Sequence, residues 1–149
     1  MYRLIRTDSQ NPDFKRLVSL LDAELAITDG EEHAFYDQYN KIDSIRFVVL
    51  AFQGDEAVGC GAIKEFDPQT MEVKRMYVVQ TGRGKSIATG ILEDLEDWAK
   101  EMSYSRCILE TGVRQPDAIA LYKKNGYSLI QNYGQYIGVE NSRCFEKLL

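Results

Sequence analysis

The sequence predicts one α/β domain built on a mixed sheet. Helical-period apolar stripes alternate along the chain with short β-branched runs. Three consecutive strand-like runs in the middle are joined by connections short enough to imply an antiparallel meander. A long amphipathic helix then separates the third run from the next one, and such a crossover places its two strands parallel.

Tyr2–Arg6 alternates enough for a first short strand. Asn11-Pro12-Asp13 reads as a helix start, with Asn as N-cap, Pro at the first helical position and Asp in the first turn. Phe14, Leu17, Val18, Leu21 and Leu25 follow at helical spacing. The polar segment Asp29–Asn40, with Phe35, Tyr36 and Tyr39, reads as a second short helix or a lid-like loop. Ile45–Phe52, Ala57–Glu65 and Met71–Val79 form the meander, turning at Gln53-Gly54-Asp55-Glu56 and Asp67-Pro68-Gln69-Thr70. The bend Thr81-Gly82-Arg83-Gly84 opens the long helix, whose stripe is Ile87, Ile91, Leu95, Trp98 and Met102. Its acids Glu93, Asp94, Glu96 and Asp97 read as a solvated face. Arg106–Glu110 is the next strand, and Pro116 starts a last helix that ends at Asn125-Gly126. Tyr127–Ile130 and Ser142–Leu148 close the sheet.

The 149 residues suit a single domain, 1–149, with a real core: about 68–70% of the unfolded surface is buried at this size. Apolar residues make up 44%, which excludes wholesale disorder. The net charge of −5 argues against general nucleic-acid binding, which needs clustered cations. The apolar run Phe47–Phe52 is far short of the roughly 20 residues a membrane span requires, and no signal peptide is visible. Three scattered cysteines, Cys60, Cys107 and Cys144, argue against a disulfide scaffold or zinc cage and read as buried small hydrophobes. With His33 the only histidine, and read as a surface residue, no metal site is expected. A reducing, cytoplasmic setting is expected, as a monomer or homodimer.

Met71–Ala88 is the informative stretch: a strand runs into a glycine-containing turn and a helix start. The unpaired N–H groups and the dipole there make a ready phosphate cradle. Gly84-Lys85-Ser86 matches the end of a Walker A loop, but position 79, where a glycine is required, is Val. A Rossmann fingerprint begun at Gly82 fails at Ile87.

Arg83-x-x-Ser86-x-Ala88 resembles the [Gln/Arg]-x-x-Gly-x-[Gly/Ala] pyrophosphate loop of the GNAT acyltransferase superfamily. Glu72 sits eleven residues before Arg83, as in many members, and Lys74-Arg75-Met76-Tyr77-Val78 resembles the family's fourth strand. Ala118–Tyr127 resembles its A-I-x-L-Y-x-x-x-G-[F/Y] segment. Ser86 replaces the usual Gly, and Gln115 stands where many members have a cofactor-contacting Asn. The resemblance implies a GNAT-like mixed sheet flanked by about four helices, with strands four and five splayed around acetyl-CoA. It implies pyrophosphate binding by Arg83, Gly84, Lys85, Ser86, Ile87 and Ala88, with Thr89 close behind and Gln115 nearby. The edge of Met76, Tyr77 and Val78 would bond the pantetheine, and the Met76 N–H would polarise the thioester carbonyl.

The implied chemistry is attack of an amine on that thioester. Glu72 is the expected base and Tyr122 the expected acid to the leaving sulfur; on their own the two read as a solvated strand carboxylate and a core tyrosine. Tyr36 and Tyr39 read as packing residues, and Gly59-Cys60-Gly61 as a bulge or close-approach site. The leading function is acetyl transfer to a primary amine of a small molecule. A protein or peptide acetyltransferase and a catalytically silent acyl-CoA-binding module are the alternatives.

Overall fold

The computed structural model describes residues 1–37, 41–42 and 45–149. Strand β1 (Arg3–Thr7) leads to α1 (Pro12–Asp29), a 3-10 turn and the short α2 (His33–Asp37). The meander is β2 (Phe47–Gln53), β3 (Glu56–Asp67) and β4 (Thr70–Val78). Helix α3 (Ile87–Glu101), β5 (Arg106–Gly112), α4 (Pro116–Lys124), β6 (Ser128–Ile130) and β7 (Ser142–Leu148) complete the chain. Tyr39 lies outside the described residues.

The seven strands form one sheet in the order β1-β2-β3-β4-β5-β7-β6, antiparallel except for the parallel pair β4–β5. β7 enters between β5 and β6, although β6 precedes it in the chain.

Local chemistry explains the boundaries. The Asn11 side chain accepts from Asp13 N–H at 2.8 Å and from Phe14 N–H at 3.4 Å, so the expected cap forms. The α1 helix runs to Asp29, well past its last expected apolar position, and stops at Gly30, whose φ of +56° a side chain would oppose. The Asp67 carboxylate accepts from Gln69 N–H at 2.8 Å and shapes the turn into β4.

The sheet divides two cores. On one face α3 and α4 cover Val49, Ile63, Met71 and Val73. Ile87, Ile91, Leu92 and Leu95 are essentially sealed from solvent, each worth about 1.5–3 kcal/mol of burial. On the other face α1 packs Phe14, Leu17 and Val18 on Val48, Leu50, Cys60 and Tyr77.

The acidic face of α3 departs from expectation at Glu96. It is buried, accepting from Tyr127 Oη at 3.0 Å and Lys147 Nζ at 2.8 Å. The β7 strand brings Lys147 there from far along the chain, so the pairing has no local signature.

Candidate active site

The site begins where β4 and β5 part. They pair only at Thr70–Arg106, Met71–Cys107 and Glu72–Ile108, although both continue well beyond. A bulge accompanies the separation. Cys60 pairs with Tyr77 and Ala62 with Lys74, so Arg75 and Met76 together oppose Gly61. Arg75 takes a left-handed φ of +58° and turns its buried side chain to Asp22 and the Val18 carbonyl on α1. Cys60 Sγ donates to the Arg75 carbonyl at 3.3 Å. A Cβ on Gly61 would lie 2.5 Å from Met76 Sδ, so only glycine lets β3 pass the bulge undisturbed. The Gly59-Cys60-Gly61 segment is thus both the register break and the close approach expected there.

A groove of about 620 Å³ enters this gap, within the usual range for a small-molecule site. Met76, Tyr77 and Val78 form one wall, and the bend before α3 forms its floor. Gly84 and Ser86 both have positive φ, +79° and +62°. The left-handed backbone at Ser86 supplies a physical reason for glycine at this place in the motif. Ser86 makes no side-chain cap, and Ser86, Ile87, Ala88 and Thr89 line the groove at the start of α3. Helix geometry leaves the first-turn N–H groups without intrahelical partners. Arg83 donates through Nε to the Val78 carbonyl at 2.8 Å and pairs with Glu24 of α1 at 3.1 Å. Although burial raises the Glu24 carboxyl, hydrogen bonds from Tyr77 and Arg83 bring it below its ordinary value. Burial, followed by Glu24, pushes the Tyr77 phenol up to about 12. Lys85 is exposed and does not line the groove.

A second, smaller cavity of about 110 Å³ adjoins the groove, sharing Leu21, Leu25, Met76, Gln115, Ala118 and Tyr122 with it. Glu72 from β4 and Glu110 from β5 project into it, with Asp29 at the end of α1. Lys74 contributes positive charge, and Tyr36 and Tyr136 narrow it. Glu72 is buried, accepts from Tyr133 Oη at 2.5 Å and lies 3.7 Å from Lys74 Nζ. Glu110 differs: its Oε2 is buried without a hydrogen-bond partner. Burial pushes the Glu110 carboxyl up to about 7, against the opposing effects of Ser142 and Lys74. The Tyr122 phenol is pushed well above its ordinary value, first by burial and then by the Glu110 charge. It therefore keeps its proton at neutral pH.

Expected site residues thus converge at the seam, apart from Lys85. Glu110 was missed as a site residue, although a carboxylate directly after Cys107-Ile108-Leu109 in an otherwise sealed strand is a visible signal. Asp29, Lys74 and Glu24 carried no such signal. Tyr36 packs as expected, but its hydroxyl also meets Ser142 Oγ at 3.0 Å beside the pocket. His33 is half-buried, with Nε2 4.0 Å from Asp37. Cys60, Cys107 and Cys144 are buried and free, their thiols raised by burial. No described helix is long and apolar enough to cross a membrane.

The split parallel pair, with the start of α3 lining one cavity and a small charged pocket adjoining it, defines a two-cavity α/β fold. The chain belongs to the acetyltransferase (GNAT) family, whose model matches residues 14–127. It is 44% identical over 93 residues to IAA acetyltransferase of Azospirillum brasilense, covering 62% of this chain and 60% of that protein. The match therefore spans less than two thirds of that relative. A Klebsiella pneumoniae crystal structure assigned as an acyl-CoA N-acyltransferase superposes with TM-score 0.84 and 29% identity, over 100% of this chain and 98% of that one. A GNAT acetyltransferase from Elizabethkingia anophelis with acetyl-CoA bound shares the fold at TM-score 0.72 and 20% identity, over 99% and 98% of the two chains.

Proposed function

We propose that this protein transfers the acetyl group of acetyl-CoA to a primary amine of a small molecule, by direct attack in a ternary complex. The observation that carries this is the pair of adjoining cavities, one large and strand-lined, one small and acidic, which meet at Met76, Gln115, Ala118 and Tyr122. The residues present suit the donor. The open N–H groups at the start of α3, with Arg83 nearby, suit its pyrophosphate. The edge Met76–Val78 suits the pantetheine amides. Acetyl-CoA supplies an activated acyl thioester when bound.

The remaining work falls to this chain. The Met76 N–H draws charge onto the thioester oxygen. The carboxylates of the small pocket attract the ammonium, and its tyrosine walls restrict it to a slim amine. Glu72 engages the amine, and Tyr122 protonates the leaving sulfur. A cytoplasmic setting is part of this reading, in keeping with three free cysteines.

The test is transfer of labelled acetyl from acetyl-CoA across a panel of small primary amines, beside a panel of peptides with free N-termini or lysines. Transfer to small amines is expected. Transfer to peptides alone, or CoA binding without transfer to any acceptor, refutes the proposal.

A further inference from the structure

We propose that Glu110, rather than Glu72, takes the proton from the acceptor amine, while Glu72 orients the ammonium. The inference rests on the amine-acetyltransferase reading above and assigns its acid–base groups.

Both carboxylates belong to one face of the sheet. Glu72 stands opposite Ile108 in the parallel pair, and Glu110 lies two residues farther along β5, so its side chain projects the same way. Beyond that rung the strands separate, and both side chains line the small cavity beside Tyr122. Their surroundings differ. Glu72 Oε2 is already engaged by the Tyr133 hydroxyl and Oε1 lies 3.7 Å from Lys74 Nζ, so the orientation of this carboxylate is set. Glu110 Oε2 has no donor although it is buried at the edge of a cavity. An orphaned buried oxygen is costly to keep and calls for an explanation in function. A bound ammonium would be its missing donor.

The groups around Glu110 are Glu72 and Lys74 from β4, Asp29 from α1, Tyr36 from α2, Ser142 from β7, Tyr136, and Tyr122 from α4. Burial dominates them and places Glu110 at about 7, where a general base works best at neutral pH. Two neighbouring carboxylates in unlike environments are a recurring way to divide binding from proton transfer.

An ammonium acceptor loses one proton to Glu110, which later releases it to water. The freed lone pair forms the C–N bond as the C–S bond breaks. The nitrogen's second proton reaches the departing sulfur with the Tyr122 hydroxyl as carrier, leaving an amide and a free thiol.

The test compares two amines, n-propylamine and trifluoroethylamine. The fluorines make the second ammonium so acidic that the amine arrives neutral at pH 7 and needs no base for its first proton. Glu110→Gln should lower kcat/KM for n-propylamine at pH 7 by about 10²–10⁴-fold. The loss for trifluoroethylamine should be at least about tenfold smaller, and the n-propylamine loss should shrink toward about pH 10, near the amine's own pKa. Glu110→Asp should restore part of the n-propylamine rate, and Glu72→Gln should raise KM while leaving the pH profile in place. Independently of turnover, carbon-13 NMR of CoA-saturated, glutamate-labelled protein should show one carboxyl titrating near pH 7, absent from Glu110→Gln. Equal losses for both amines, an unmoved pH profile, or no such carboxyl overturns the assignment to Glu110 alone. Failure of the wild-type protein to acetylate either amine overturns the amine reading and this proposal with it.

Discussion

Replacing Gly61 by Ala tests the link between the β4 bulge and the donor groove. A Cβ at Gly61 would stand 2.5 Å from Met76 Sδ, 2.8 Å from Ile91 Cγ2 and 3.0 Å from Leu95 Cδ1. Ile91 and Leu95 are fully buried and have nowhere to go. Met76 is half-buried and unbranched, so it yields first. The backbone at Gly61 is not left-handed, and the cost is therefore packing alone. One methyl forced into such a site costs about 1–3 kcal/mol, and the fully buried neighbours place Gly61→Ala at the upper end. At roughly 2–4 °C per kcal/mol for a chain of this size, Tm should fall by about 4–12 °C. Met76 lies on the groove wall, so acetyl-CoA affinity should fall as well. Gly59→Ala is the matched control, with its nearest contacts at 3.0–3.3 Å, and should cost distinctly less. Thermal melts with calorimetric acetyl-CoA titrations measure both effects. A Gly61→Ala protein with unchanged Tm and unchanged acetyl-CoA affinity would refute the packing argument. A loss of stability with affinity intact would refute the link to the groove.

Glu110 should also govern the pH dependence of stability. Its carboxyl is raised from 4.5 to about 7 by burial, so between these values the folded state holds more protons than the unfolded one. Stability contributed by the protonated form is therefore present below about pH 4.5 and lost as pH rises through about 7, by about 3 kcal/mol. Urea melts of Glu110→Gln should lack that decline and match or exceed wild type at pH 8. Ser86→Gly should relieve the left-handed strain at φ +62° and change stability by about 0 to +1 kcal/mol. Acetyl-CoA binding should stay within about threefold, because the backbone N–H is retained; a destabilised variant counts against the strain. Arg83→Glu should weaken acetyl-CoA binding at least about tenfold, whereas Glu24→Gln, which frees Arg83 from its 3.1 Å pair, should tighten it; calorimetry reads both. Tyr122→Phe should lower kcat by about 10–10³-fold and cost no more than about 1 kcal/mol of stability. Wild-type turnover in the folded variant would leave Tyr122 a core residue.

What the sequence determined by itself was local. Asn11-Pro12-Asp13, the stripe Ile87-Ile91-Leu95 and the turns at Gly54 and Asp67 follow from capping, helical period and turn chemistry, which act over a few residues. The element order and the parallel partnership of β4 and β5 followed from short connections and one crossover. The motif around Arg83 and the Ala118–Tyr127 segment marked the donor side, because a phosphate cradle is itself a local structure. Only the tertiary structure decided the rest. The insertion of β7 between β5 and β6 brought Lys147 to Glu96 and Ser142 beside Glu110 and Tyr36. The Arg75 bulge, anchored on α1, determined which β4 side chains face the second cavity. Glu72 and Glu110 have the same side chain, yet one is engaged by a tyrosine and the other is left with a buried, unpartnered oxygen. That difference depends on burial and on partners from distant segments, and desolvation is a property of the assembled interior rather than of any stretch of chain.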